Sequence, residues 1–213
     1  MGTINQGLLG GFSGKVGTVV GGNWNGIDYM RSNESGRSDA KSFAQLNQRA
    51  KFSTIIQFLK PLKGFLRIGF KSQAVHMSAF NAATSFNMAN ALKGTFPDYQ
   101  IDYSKVMVSQ GKLPGALNPS AVSGSIAEIG FSWENNSAKI NARADDKAVL
   151  VIYNPVKEKA ISDFGGSTRI GGSQRINLPA NFSGDEVHCY ISFQNVGQSV
   201  ISNSQFVGSL VVL

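Results

Sequence analysis

At 213 residues, with 42% hydrophobic and 15% charged residues, the chain is long enough for one large or two small domains and too apolar for a highly charged disordered segment. Its single cysteine, Cys189, excludes an internal disulfide framework, and no apolar run approaches the ~18–20 residues of a bilayer span. The net charge of +7 is uneven: residues 1–120 hold 13 Lys/Arg against 5 Asp/Glu, and residues 121–213 hold 7 against 8.

The first 26 residues contain nine glycines. Within residues 1–35, VGTVV (16–20) and GIDYMRS (26–32) read as two strands around a turn, GGNWNG (21–26), a Gly-rich hairpin with Val19, Trp24, Ile27 and Tyr29 as its apolar contacts. FSGKVG is not a phosphate loop, since Val16 follows Gly14-Lys15 where Ser or Thr is required, and Leu9 stands where the first glycine belongs. The stretch LLGGF is too short, and too soon interrupted by Ser13 and Lys15, to act as a membrane-inserting peptide. An exposed Gly-rich strand edge is instead a natural place for another chain to pair, so these four residues are the expected assembly interface. MGTINQG has neither a basic n-region nor an apolar h-region, which predicts a cytoplasmic protein or one released without a cleaved signal, as in a particle.

From Ser38 the pattern becomes helical. Ser38 and Asp39 suit a helix start, and Phe43, Leu46, Ala50, Ile55, Ile56, Leu59 and Leu62 recur at three- and four-residue spacing. Pro61 predicts a kink or restart, and residues 76–94 read as a further helix closed by Gly94. No acid falls between Asp39 and Asp98, a span carrying eight Lys/Arg. Lys60, Lys63, Arg67 and Lys71, spaced 3, 4 and 4, share one face of a continuous helix. With Arg49 and Lys51 they form the expected site for nucleic acid or another anionic partner. After SKVMVSQG, a predicted strand, the Pro/Gly-rich Pro114–Pro119 segment marks the expected boundary between domains 1–120 and 121–213.

Residues 121–213 read as short strands: 129–134, 148–154, 160–164, 174–179, 186–194 and the final SQFVGSLVVL. In EVHCYISFQ, Val187, Cys189, Ile191 and Phe193 share one face, and His188, Tyr190 and Ser192 the other. The early Trp133 strand and the late Val-x-Cys-x-Ile strand resemble a fibronectin type III or immunoglobulin-like β-sandwich. The fold class expected is therefore α+β: an N-terminal Gly-rich β-hairpin, a helical middle and a C-terminal antiparallel β-sandwich.

Catalytic signatures are missing. His76 and His188 stand far apart in sequence and outside metal-ligand spacing, and they read as a helix-start and a strand-surface residue. Cys189 falls on an apolar strand face, as a buried inert thiol does. Asp145-Asp146 and Asp185-Glu186 sit where turns need Asp. The expectation is a non-enzymatic protein with no cofactor and no metal. Taken together, GGFSGKVGTVVGGNWNGIDYMR, AQLNQRAKF, FLKPLKGFLRIGFKS, AFNAATSFN, ALNP and NLPANFSGDEV resemble a Bacteroidetes family of uncharacterised proteins, a domain of unknown function. The resemblance spans nearly the whole chain and implies no activity, cofactor or site residue. The Gly-x-x-Gly-x-Val-Val-Gly…Trp motif is also similar to some phage structural proteins. Three functions follow: a self-associating subunit of a particle, filament or secretion machine; an anion- or nucleic-acid-binding module; and an adhesin presenting Trp133 or Tyr153 to carbohydrate.

Overall fold

Gly17 and Gly26 take left-handed φ values of +57° and +82°, and at these two points the N-terminal segment reverses. The computed structural model describes residues 3–4, 10–24, 26–33, 39 and 41–213. Strands β1 (Thr3–Ile4), β2 (Phe12–Val16), β3 (Val19–Trp24) and β4 (Ile27–Ser32) pair antiparallel in the order β1-β2-β3-β4. The expected hairpin is thus a four-stranded meander with its turns displaced. Val16 pairs with Val19 and Trp24 with Ile27, so VGTVV contains a turn and most of GGNWNG is strand. The physical reason is that glycine has two uses, and Gly21 and Gly22 serve close approach, not reversal. A Cβ on Gly21 would collide with the Phe12 carbonyl, and one on Gly22 would lie 2.9 Å from the Tyr29 ring. Asn25 of the expected turn, and the expected helix cap Ser38, lie outside the described residues.

The chain divides into two compact units, Met1–Phe43 and Ala44–Leu213. The larger unit draws on helices α1 (Phe43–Leu59), α2 (Lys63–Gly69) and α3 (Ala79–Asn90). Pro61 has no N–H to continue α1, so the chain turns through Leu62 N–H to Leu59 O (3.1 Å) and Lys63 N–H to Lys60 O (3.3 Å) before α2 begins. Ser78 caps α3 by accepting from the Asn81 N–H at 3.1 Å. Gly94 does not close that helix; it sits at φ +92° in a hairpin of β5 (Leu92–Thr95) and β6 (Asp98–Ile101).

Seven more strands follow: β7 (Leu117–Ser125), β8 (Glu128–Glu134), β9 (Lys147–Asn154), β10 (Lys159–Thr168), β11 (Ser173–Asn177), β12 (Glu186–Gln194) and β13 (Gln205–Val211). They form a four-stranded sheet, β10-β9-β12-β13, and a three-stranded sheet, β11-β8-β7, both antiparallel. The run AVLVIY in β9 is apolar throughout because both faces are covered. Ala148, Leu150 and Ile152 meet Phe131, Trp133 and Ile176 of the other sheet, while Val149, Val151 and Tyr153 meet Ile55, Phe58, Leu62 and Phe65 of the helical segment. The helices thus close the second face of the sheet. The segment SKVMVSQG (104–111), expected as a strand, is held by other means: Val108 and Ser109 N–H donate to Ser204 Oγ, and Gln110 N–H donates to Gly69 O.

Candidate functional site

The N-terminal sheet shows an imbalance. Among the described residues of the first unit, Gly21 alone is buried. Trp24 is 44% exposed, Tyr29 46%, Ile27 55% and Met30 70%. Pairing of Gly22 with Tyr29 and Trp24 with Ile27 puts Trp24, Ile27 and Tyr29 on one face, with Val20, Arg31 and Lys15. Val19, the fourth expected contact, pairs with Ser32 and lies on the opposite face beside Val16, Asp28 and Met30. The expected set therefore splits three to one, and Met30, which the sequence reading missed, is the most exposed of these apolar residues. The signal available was its place two residues after Asp28, which puts the two side chains on one strand face.

The basic residues do not share one helical face. Lys60 stands in the turn after α1, Lys63 and Arg67 ride on α2, and Lys71 opens the 3-10 turn Lys71–Gln73. The interruption has two causes, Pro61 and Gly69, where a Cβ would strike the Val108 carbonyl. Lys51 lies over the Tyr99 ring at 5.4 Å. Arg49 and Lys60 line one groove of about 990 Å³, whereas Lys71 borders a separate polar depression of about 410 Å³ with Gln110 and Lys112.

The groove that holds Arg49 and Lys60 also takes Phe52, Ile56, Pro61, the β9–β10 turn residues Lys157 and Glu158, and Lys159 at the start of β10. Gln57 Nε2 donates to Glu158 Oε1 at 2.5 Å, tying α1 to the turn, and Lys157 pairs with Asp185. Hydrogen bonds from Lys157 and Asn154 hold the Asp185 carboxyl below its ordinary range. Asp185 is thus engaged in holding this turn, as its position in the sequence predicts.

Other residues singled out in the sequence are interior. His188 is 6% exposed, not a surface residue; it stacks on Tyr103 at 3.6 Å and shares a 2.8 Å hydrogen bond between Nδ1 and Ser209 Oγ. Burial lowers the His188 pKa, partly opposed by Glu186. Burial pushes the Cys189 thiol up to about 12. His76 stands exposed before α3 at φ +56°. Trp133 and Tyr153 are buried at 5% and 4% exposure, so neither can present a ring face to a sugar. Asp146 accepts from Arg169 at 3.1 Å inside the protein.

No group of three or more His, Cys, Asp or Glu among the described residues is placed to hold a metal ion. No helix among them is long and apolar enough to cross a membrane. Residues 11–208 match a family of unknown function, DUF6266. No curated protein matches the chain.

Proposed function

The chain belongs to the DUF6266 family, and we propose that this protein is a non-enzymatic structural subunit that associates with further copies of itself through its N-terminal sheet. One observation carries the reading: a four-stranded sheet whose described apolar side chains are all left at least partly open to solvent. A sheet without a covered face has little to hold it together, and contiguous exposed apolar residues mark interaction surfaces. Trp24 and Tyr29 supply large contact area with few rotamers to freeze, as interface anchors do. Outer strand β4 adds a second means of association, since its outer edge, with no strand paired to it among the described residues, offers backbone donors and acceptors to a neighbour. A particle, filament or secretion-type machine is the setting that suits such a subunit, and a Bacteroidetes source fits the motifs from which the resemblance was drawn. On the same reading the two packed sheets of residues 117–211 form a β-sandwich of fibronectin or immunoglobulin type serving as the body of the subunit.

The test is light scattering behind size-exclusion chromatography on the full chain and on a Trp24→Ser/Ile27→Ser/Tyr29→Ser variant. The full chain should give a concentration-dependent oligomer and the variant a monomer with an unchanged melting profile. A monomeric full chain at high micromolar concentration would end the proposal.

A further inference from the structure

Strand β10 ends the four-stranded sheet, and among the described residues no strand pairs with its outer side. Its helix-side residues are Ala160, Ser162 and Phe164, which pair with Tyr153, Val151 and Val149. Phe164 stacks on Phe65 of α2 at 5.3 Å. These three residues, with Leu62, Phe65 and Ile68, enclose an apolar cavity of about 280 Å³. It shares Pro61 with the 990 Å³ groove, so the two adjoin along the line between the helices and the free strand edge. One end of this channel is cationic, at Arg49, Lys60, Lys157 and Lys159; the other is apolar.

We propose that this channel is a peptide-binding groove that takes an extended acidic segment of a partner protein as an added strand on β10. The partner's backbone pairs with residues 159–164. Side chains two residues apart on an extended chain stand about 6.5–7 Å apart, and alternate ones point the same way. One apolar residue of the ligand enters the cavity beside Phe65 and Phe164, and another lies on Phe52 and Ile56. Acidic residues at the far end meet Lys60 and Lys159, neither of which has an ion-pair partner among the described residues. Glu158, bonded to Gln57, keeps its charge, but it is the one acid lining this end against the four cations Arg49, Lys60, Lys157 and Lys159. Charge complementarity thus selects an acidic ligand. The row of free backbone groups beside an apolar cavity selects a peptide over a nucleic acid, whose phosphates require cations along the whole path. Beyond residue 164 the edge is closed, because Gln174 accepts from Ser167 N–H at 3.0 Å and donates to Asp163 at 2.6 Å. That closure limits the added strand to about six residues.

This inference does not rest on self-association, and it is tested on the full chain carrying the Trp24→Ser/Ile27→Ser/Tyr29→Ser substitutions as well as on the native chain. A random twelve-residue phage-displayed library is selected against both, and enriched peptides are synthesised with a fluorescein label for anisotropy. The expected peptides carry at least two Asp or Glu residues and alternating apolar positions. Their affinity should fall at least tenfold in Lys60→Glu/Lys159→Glu and survive in Lys60→Arg/Lys159→Arg. Amide exchange should slow at alternate residues of 159–164. Failure to enrich acidic sequences overturns the proposal, as does binding indifferent to the charge reversal. A twenty-nucleotide single-stranded DNA that binds more tightly, and is lost in the same reversal, overturns it in favour of nucleic acid.

Discussion

The guanidinium of Arg169 lies 3.9 Å over the ring of Phe193, fully buried in the larger unit. Every direction around it is engaged. Nε and Nη2 meet Asp146 Oδ2 at 3.2 and 3.1 Å, Nη1 donates to Asn136 Oδ1 at 2.6 Å, and Nη2 donates to the Pro114 carbonyl at 2.9 Å. Trp133 Nε1 donates to the Arg169 carbonyl at 2.9 Å. Replacing Arg169 by Met keeps volume but leaves Asp146 charged, buried and uncompensated. The expected loss is about 3–5 kcal/mol in urea unfolding. Adding Asp146→Asn removes that charge and should recover part of the loss. A single substitution costing less than about 1 kcal/mol would show that the cluster is better solvated than its burial implies.

His188 gives a pH dependence whose sign follows from burial. Around it stand Tyr103, Ser209, Phe206 and the Tyr153 strand, with Glu186 the nearby charge. The folded-state pKa lies below the ordinary value of 6.5. The unfolded chain therefore binds the proton more readily, so His188 contributes stability above pH 6.5 that is lost as the pH falls below it. Chemical melts from pH 8 to 5 should show this loss, and His188→Gln should flatten it. A profile unchanged by the substitution would assign the acid sensitivity to other groups.

What the sequence disclosed, and what it hid, divides by how local the determinant is. The strands around Trp133, Val149 and Cys189 could be read from alternation or apolar runs, because side-chain direction in a strand depends on the strand alone. Strand β7 could not: Pro119 and the serines of NPSAVSGS carry turn chemistry, and an edge strand tolerates both. The helical periodicity through Lys60–Lys71 was real in residues but not in backbone, since Pro61 and the close approach of Gly69 to Val108 split it. His188 looked superficial because alternation gives a face without telling what covers it. The groove beside β10 was invisible for a related reason: Arg49 and Lys159 are 110 residues apart in sequence and meet only through the fold.

Asn87 joins α3 to the segment after β6. Its Nδ2 donates to the Ala83 and Met107 carbonyls, both at 2.9 Å, and its Oδ1 accepts from Met107 N–H at 2.9 Å. The side chain is fully buried, so Asn87→Leu strands the Met107 N–H and carbonyl away from water. Each unsatisfied group costs about 1–3 kcal/mol, and the variant should lose at least 2 kcal/mol. Hydrogen exchange should report the loss first at Met107. Protection there equal to that of the native chain would mean the backbone finds another partner.

Cys189 provides an internal clock for opening of the larger unit. It lies between the sheets with Leu150, Ile152 and Ile191 in its cluster, and its raised pKa leaves almost no thiolate near neutrality. Ellman's reagent should label it only as fast as the unit unfolds, with the rate rising in urea along the unfolding limb. Immediate stoichiometric labelling in native buffer would contradict the burial.

The contact between Gly22 and Tyr29 separates the role of the N-terminal sheet from the stability of the rest. A Cβ on Gly22 would stand 2.9 Å from both Cζ and the hydroxyl oxygen of Tyr29, so Gly22→Val must push the ring off the strand. The ring is part of the proposed association face, and Trp24 and Ile27 lie beside it on the same side. Both buried apolar clusters belong to residues 44–213, so the main melting transition should move by less than about 0.5 kcal/mol. Association should weaken by tenfold or more in light scattering, and the N-terminal segment should become the first site cut by dilute protease. Association that persists unchanged while Tyr29 is displaced would locate the contact on the opposite face, where Val16, Val19 and Met30 are the residues to substitute next.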